Sequence, residues 1–242
     1  MLRFAPLLLV IMLGSSCTEA FKKKFAAGRE VGELYGAGVT VGTSSSASAG
    51  EGSRSATTLT LSGLKPEQWT AADAAPGAGL VAYRFVKKLQ PEDLKGDTHV
   101  DIKLELVNGK SYEYGFPVAD LYALDKPVEI AEKFFKAATK HDTSAVWKML
   151  DEQYFDDQAY VTIDNLLSYT DSIHAGAGKR EMKLMGIAFT KLEDVGDPVV
   201  IIGFMEQPGS NWTRYKLYIK RTDHKIVSLD MRSSQGGVDA NE

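Results

Sequence analysis

"HVDIKLELVNGKSYEYGF", residues 99–116, carries the clearest local signal in the chain. Val100, Ile102, Leu104 and Leu106 alternate with Asp101, Lys103 and Glu105, the period of a strand with one face buried. Tyr112, Tyr114 and Phe116 repeat that period on the way back, and Asn108-Gly109 between the runs supplies the positive φ angles of a tight turn. An antiparallel hairpin follows, and whatever covers its apolar face must come from neighbouring sequence.

Upstream, the pattern over 21–35 predicts a helix with Phe25, Val31, Leu34 and Tyr35 as core contacts. Gly28, Gly32 and Gly36 recur along it, which implies close packing on a sheet with Gly36 as the stop. Val39–Val41 and Thr57–Leu61 read as β-branched strand runs. "GTSSSASAGEGSRS", residues 42–55, lies between them and reads as the long loop of a hairpin. A second helix is expected over 80–89, where Leu80, Phe85, Val86 and Leu89 share a face. The order helix, two strands, helix, two strands gives a small α+β domain over 25–122, with helices on one face of an antiparallel sheet.

Downstream, Pro117 and Pro127 bracket a connection, "VADLYALDK". In "EIAEKFFKAATKHDTSAVWKMLDEQYF", residues 129–155, Ile130, Phe134, Ala137 and Ala138 fit one amphipathic helix and Val146, Met149 and Leu150 a second. Asp142 stands between them as an N-cap. A third helix is expected over 161–173, followed by strands over 182–192, 199–206, 213–221 and 225–231, with "QPGSN" and "RTDHK" as turns.

The stretches "AEKFFKAATKHDTSAVWKML" and "RYKLYIKRTDHKIVSLDM" resemble the NTF2-like (cystatin-like α+β) superfamily. That resemblance implies, for residues 126–233, three helices packed on a curved antiparallel sheet around a concavity; residues 234–242 are expected to be a disordered tail. Trp147, Tyr154, Tyr169, Tyr218 and Asp230, together with Phe134, are its candidate pocket-lining residues, although aromatics at helix and strand spacing are more often core. Ketosteroid isomerase, a member of that superfamily, uses a pocket Asp as base and a Tyr as oxyanion donor. Alignment on Asp142 puts Phe134 at the donor position, and Phe134 has no proton to give.

The first residues speak to location. Arg3, an apolar stretch from Phe4 to Leu13 and small residues at 14–16 have the layout of a secretory signal over 1–16. The apolar run is shorter than the roughly 20 residues a membrane helix needs. Cys17 is the single cysteine of 242 residues, so no disulfide accounts for it. "LGSSC", residues 13–17, resembles the lipobox of bacterial lipoproteins, in which the cysteine is acylated and becomes the N-terminus. That implies a lipid-anchored tether over 17–24 and a bacterial cell-envelope location; Thr18 in place of an Asp favours the outer membrane in a Gram-negative cell. Ordinary cleavage with a free thiol is the alternative. Lys22-Lys23-Lys24 reads either as a contact with anionic lipid or as a solvated tether or helix face.

Several function classes are excluded by what is missing. Loss of 1–16 leaves 27 basic and 32 acidic side chains, a net charge of −5 without a basic face, which argues against a nucleic-acid partner. His99, His141, His174 and His224 have no metal-ligand spacing. "DEQYFDD", residues 151–157, lacks the alternation and turn Gly of a calcium loop. "HAGAGKR", residues 174–180, lacks the first Gly and the Ser or Thr of a phosphate loop. No catalytic residue, metal or cofactor is expected. The leading reading is a lipid-anchored, non-catalytic envelope protein that binds a small ligand or a protein partner through its C-terminal domain. The alternatives are an enzyme acting on a small exported or cell-wall-derived substrate and a structural spacer.

Overall fold

The computed structural model describes residues 5–48, 52–155, 168, 182–196, 198–206, 213–233 and 236–237. The chain is a mixed α+β protein that divides into two compact units, Met1–Tyr122 and Ala123–Glu242.

The first unit runs α1 (Ala5–Tyr35), β1 (Gly38–Ser48), β2 (Gly52–Leu64), α2 (Ala71–Lys87), β3 (His99–Leu106), β4 (Ser111–Pro117) and a one-turn α3 (Val118–Tyr122). The strands lie in the order β1-β2-β3-β4. The expected β3–β4 hairpin is present, antiparallel from His99↔Pro117 to Glu105↔Ser111. Within its turn only Gly109 takes a positive φ, 83°, and the Leu106 carbonyl accepts from the Gly109 amide. Its one neighbour in the sheet, β2, departs from the sequence reading. β2 and β3 run parallel, because α2 crosses over between them and returns the chain to the same end of the sheet, so this sheet is mixed and not purely antiparallel.

The supposed loop over 42–55 is mostly strand. β1 and β2 pair without a break from Gly38↔Ser62 to Ser48↔Gly52, so Ser, Thr and Ala here serve the backbone ladder, not a turn. α2 begins at Ala71, nine residues before the expected start. Thr70 caps it: its hydroxyl accepts from the Asp73 amide at 3.3 Å and donates to the Asp73 carboxylate at 2.7 Å, and the helix runs on through Pro76 and two glycines.

Register places the core. Val39, Leu61, Leu104 and Tyr112 form one row across the sheet, and Val41, Leu59, Ile102 and Tyr114 form the next. α1 packs on this face through its smallest residues. A Cβ on Gly28 would lie 2.9 Å from Leu59 and Val41 atoms, and one on Gly32 only 2.1 Å from Val39 Cγ2. The glycines thus pack on a sheet as expected, and Gly36, at φ 61°, ends the helix. Two expected core contacts do not form. Phe25 and Leu34 are exposed, since the face turned to the sheet is the stripe Lys24, Ala27, Gly28, Val31 and Gly32, where bulky groups would not fit.

The second unit runs α4 (Asp125–Ala138), α5 (Thr143–Met149), β5 (Met182–Lys191), β6 (Pro198–Glu206), β7 (Thr213–Lys220), β8 (Ile226–Ser233) and the two-residue β9 (Gly236–Gly237). Among the described residues these strands form an antiparallel meander, β5-β6-β7-β8-β9. Asp142 caps α5 as expected, accepting from the Ala145 amide at 3.0 Å. The expected third helix over 161–173 and the segments "HAGAGKR" and "QPGSN" lie outside the described residues.

Candidate functional site

The helix-facing side of the second sheet is built by alternation. Val200, Ile202 and Phe204 of β6 pair with Ile219, Leu217 and Tyr215 of β7, and Leu217 and Tyr215 pair in turn with Leu229 and Met231 of β8. All of these side chains are buried. α4 closes on them with Phe135, whose ring sits 4.7 Å from Phe204, 5.1 Å from Tyr215 and 5.5 Å from Phe134, in edge-on contacts. Apolar rings fill the space between this helix and these strands.

The described candidate pocket residues fall on different sides of the sheet. Phe134 is core, almost without exposed surface. Trp147 is half-buried on α5, and the half-buried Tyr154 donates its hydroxyl to the Asp194 carbonyl at 3.4 Å. Tyr218 and Asp230 are out of phase with Leu217 and Leu229, which places them on the opposite face of the sheet from Phe135. There Asp230 stands 3.8 Å from Lys216 and from Arg232. The Tyr218 phenol is held above its ordinary proton affinity by burial and then by the Asp230 charge. Tyr169 lies outside the described residues, and nothing is described of the Cys17 side chain.

Three charge clusters escape the sequence reading. On the second unit, Lys220 Nζ lies 2.5 Å from Asp151 and 2.9 Å from Asp223, and Lys225 Nζ donates to the Lys148 carbonyl at 2.7 Å. Together they fasten the chain after α5 to the turn between β7 and β8. On the first unit, Lys24 reaches Asp97 at 2.6 Å and Lys23 reaches Asp93 at 3.0 Å. On its helix-free sheet face Arg54 pairs with Asp101 directly over Gly115. Apart from Lys220 and Asp223, these partners are 47 to 77 residues apart and leave no mark in local sequence. Lys22, Lys23 and Lys24 lie on the helix α1, as the helix-face reading has it, and two of the three are ion-paired across the unit.

The chemistry of these clusters is fastening. Lys220 holds its proton far above the ordinary lysine range, through the hydrogen bond to Asp151 first and to Asp223 next. A lysine base or nucleophile needs the opposite displacement. Glu30 and Glu129 stay below the usual carboxylate range, each chiefly through a lysine hydrogen bond, from Lys88 and Lys133 respectively. No group of three or more His, Cys, Asp or Glu able to hold a metal ion occurs among the described residues. No helix among them is long and apolar enough to cross a membrane.

Compared with known protein families, curated proteins and solved structures, the chain matches none of them.

Proposed function

We propose that this chain is a lipid-anchored, non-catalytic protein of the bacterial cell envelope that engages a protein partner through the surface of an NTF2-like second unit. The observation that carries the binding part is the packing of Phe135 against Phe134, Phe204 and Tyr215. Those rings occupy the place a small-molecule cup would take between this helix and the sheet, and they leave Lys216, Tyr218 and Asp230 together on the other face. Two helices followed by an antiparallel meander support the NTF2-like assignment. Phe134 in the donor position argues against isomerase-type chemistry. Anchoring rests on "LGSSC" and the lone Cys17.

Fractionation of cells carrying wild type and Cys17→Ala tests the anchor. Wild type stays with membranes and yields an acylated N-terminal peptide, whereas the variant is released or left unprocessed. A mature wild-type N-terminus without acyl mass sinks that half of the reading. A photo-crosslinking residue at Lys216 tests the other half, with a discrete envelope-protein adduct expected. Small-molecule turnover by the purified protein, abolished by Asp230→Asn, would establish the enzyme instead.

A further inference from the structure

We propose that α1 lies along the membrane surface on a stripe formed by Phe21, Lys22, Phe25 and Arg29, so that the first unit rests against anionic lipid. The proposal deepens the lipid-anchor reading of Cys17 and rests on it.

The first observation is a lack of slack. α1 is helical without a break from Cys17, the first residue of the processed chain, to Tyr35. Six residues beyond Cys17 the helix is already tied to its unit, by Lys23 to Asp93 at 3.0 Å and by Lys24 to Asp97 at 2.6 Å, and Val31 is fully buried against the sheet. At a rise of about 1.5 Å per residue, those six residues span about 9 Å. An anchor at Cys17 therefore brings the first unit to the bilayer surface, because no flexible linker separates them.

The second observation is what the helix presents there. Phe21 is 44% exposed and Phe25 45% exposed, although each is a large apolar ring next to a well-packed stripe. At about 100° per residue, Phe21, Lys22, Phe25 and Arg29 span a sector about 100° wide that meets the edge of the sheet-packed stripe, where Phe21 falls between the directions of Gly28 and Gly32. Lys22 and Arg29 are exposed and keep only loose surface contacts, 4.0 Å to Glu19 and 3.7 Å to Glu33. Such contacts are worth little and yield readily to phosphate. Aromatic rings interleaved with cations on one side of a helix are the pattern of a segment that beds about 5–10 Å into the headgroup boundary. Phe21 is one turn, about 6 Å, from the anchor point, so it reaches that depth when the helix lies flat. Leu34, also exposed, falls about 180° from Phe25 and belongs to no such stripe.

The test uses the mature chain from residue 17 carrying Cys17→Ser, which removes the lipid and leaves the stripe. Hydroxyl-radical footprinting is read with and without saturating vesicles of phosphatidylglycerol and phosphatidylethanolamine. Phe21 and Phe25 become protected and Leu34 does not. Phe21→Ser/Phe25→Ser lowers vesicle affinity roughly twentyfold, the loss of about half a ring of apolar burial twice over, while far-ultraviolet circular dichroism shows the variant still folded. Phe21 and Phe25 as reactive with vesicles as without them would overturn the proposal. So would equal protection of Leu34, or a dimer in buffer that buries the two rings without lipid. A wild-type N-terminal peptide lacking acyl mass would instead remove the anchor, a separate readout from the vesicle result.

Discussion

Lys24 Nζ donates to Asp97 Oδ2 at 2.6 Å, and the Thr57 hydroxyl donates to the same oxygen at 2.7 Å. One carboxylate thus joins α1, strand β2 and the turn ahead of β3, with both charged side chains only 10% exposed. Removing one member of such a pair is worse than removing both, because the survivor stays desolvated and uncompensated. Lys24→Ala is expected to lower stability by about 3 kcal/mol in urea melts. Lys24→Met/Asp97→Leu should recover most of that loss. Equal stability of wild type and Lys24→Ala would show that the pair holds nothing.

The α1 contact with β1 depends on the absence of side chains. Gly32→Ala gains helix propensity of about 1 kcal/mol but drives a Cβ to 2.1 Å from Val39 Cγ2. Overpacking of a closed core costs about 1–3 kcal/mol, so a net loss of about 1 kcal/mol is expected. Val39→Ala in the same chain removes the obstructing methyl groups and should make Gly32→Ala nearly neutral. A thermal melt in which Gly32→Ala alone is as stable as wild type would mean that α1 sits further from the sheet.

Legibility from sequence followed the range of the interaction. The β3–β4 hairpin, the bounds of β6 to β8 and the Asp142 cap were readable because alternation and capping act over a few residues. The continuation of β1 and β2 through Ser, Thr and Ala was not, since those residues pair through the backbone and show no apolar rhythm. Parallel pairing of β2 with β3 is a property of the crossover, not of either strand. Phe25 and Leu34 misled because glycine, usually a breaker, marks the buried side of α1. The division of the candidate pocket was legible in principle: Tyr218 is one residue out of phase with Tyr215, Leu217 and Ile219, and strand parity alone sends it to the other face.

Lys220, Asp151 and Asp223 give the second unit a pH signature. Lys220 keeps its proton above the ordinary lysine range through its bonds to Asp151 and Asp223, so it adds stability fully below about pH 10 and loses it as pH rises further. Asp223 runs the other way. Burial raises its proton affinity, but the Lys225 amide, the Lys220 hydrogen bond and the Lys220 charge outweigh burial and hold it below the carboxylate range. Its contribution is therefore present above about pH 4 and fades as the acid titrates it. Lys220→Met removes the shared cation and strands Asp151, whose side chain is 15% exposed. The variant should be less stable by about 1–2 kcal/mol at neutral pH. The gap between the two chains should stay constant from about pH 5 to about pH 10 and narrow on either side. Urea midpoints measured across that range check this, and a gap that widens below about pH 4 would show that the triad is held together by something other than these charges.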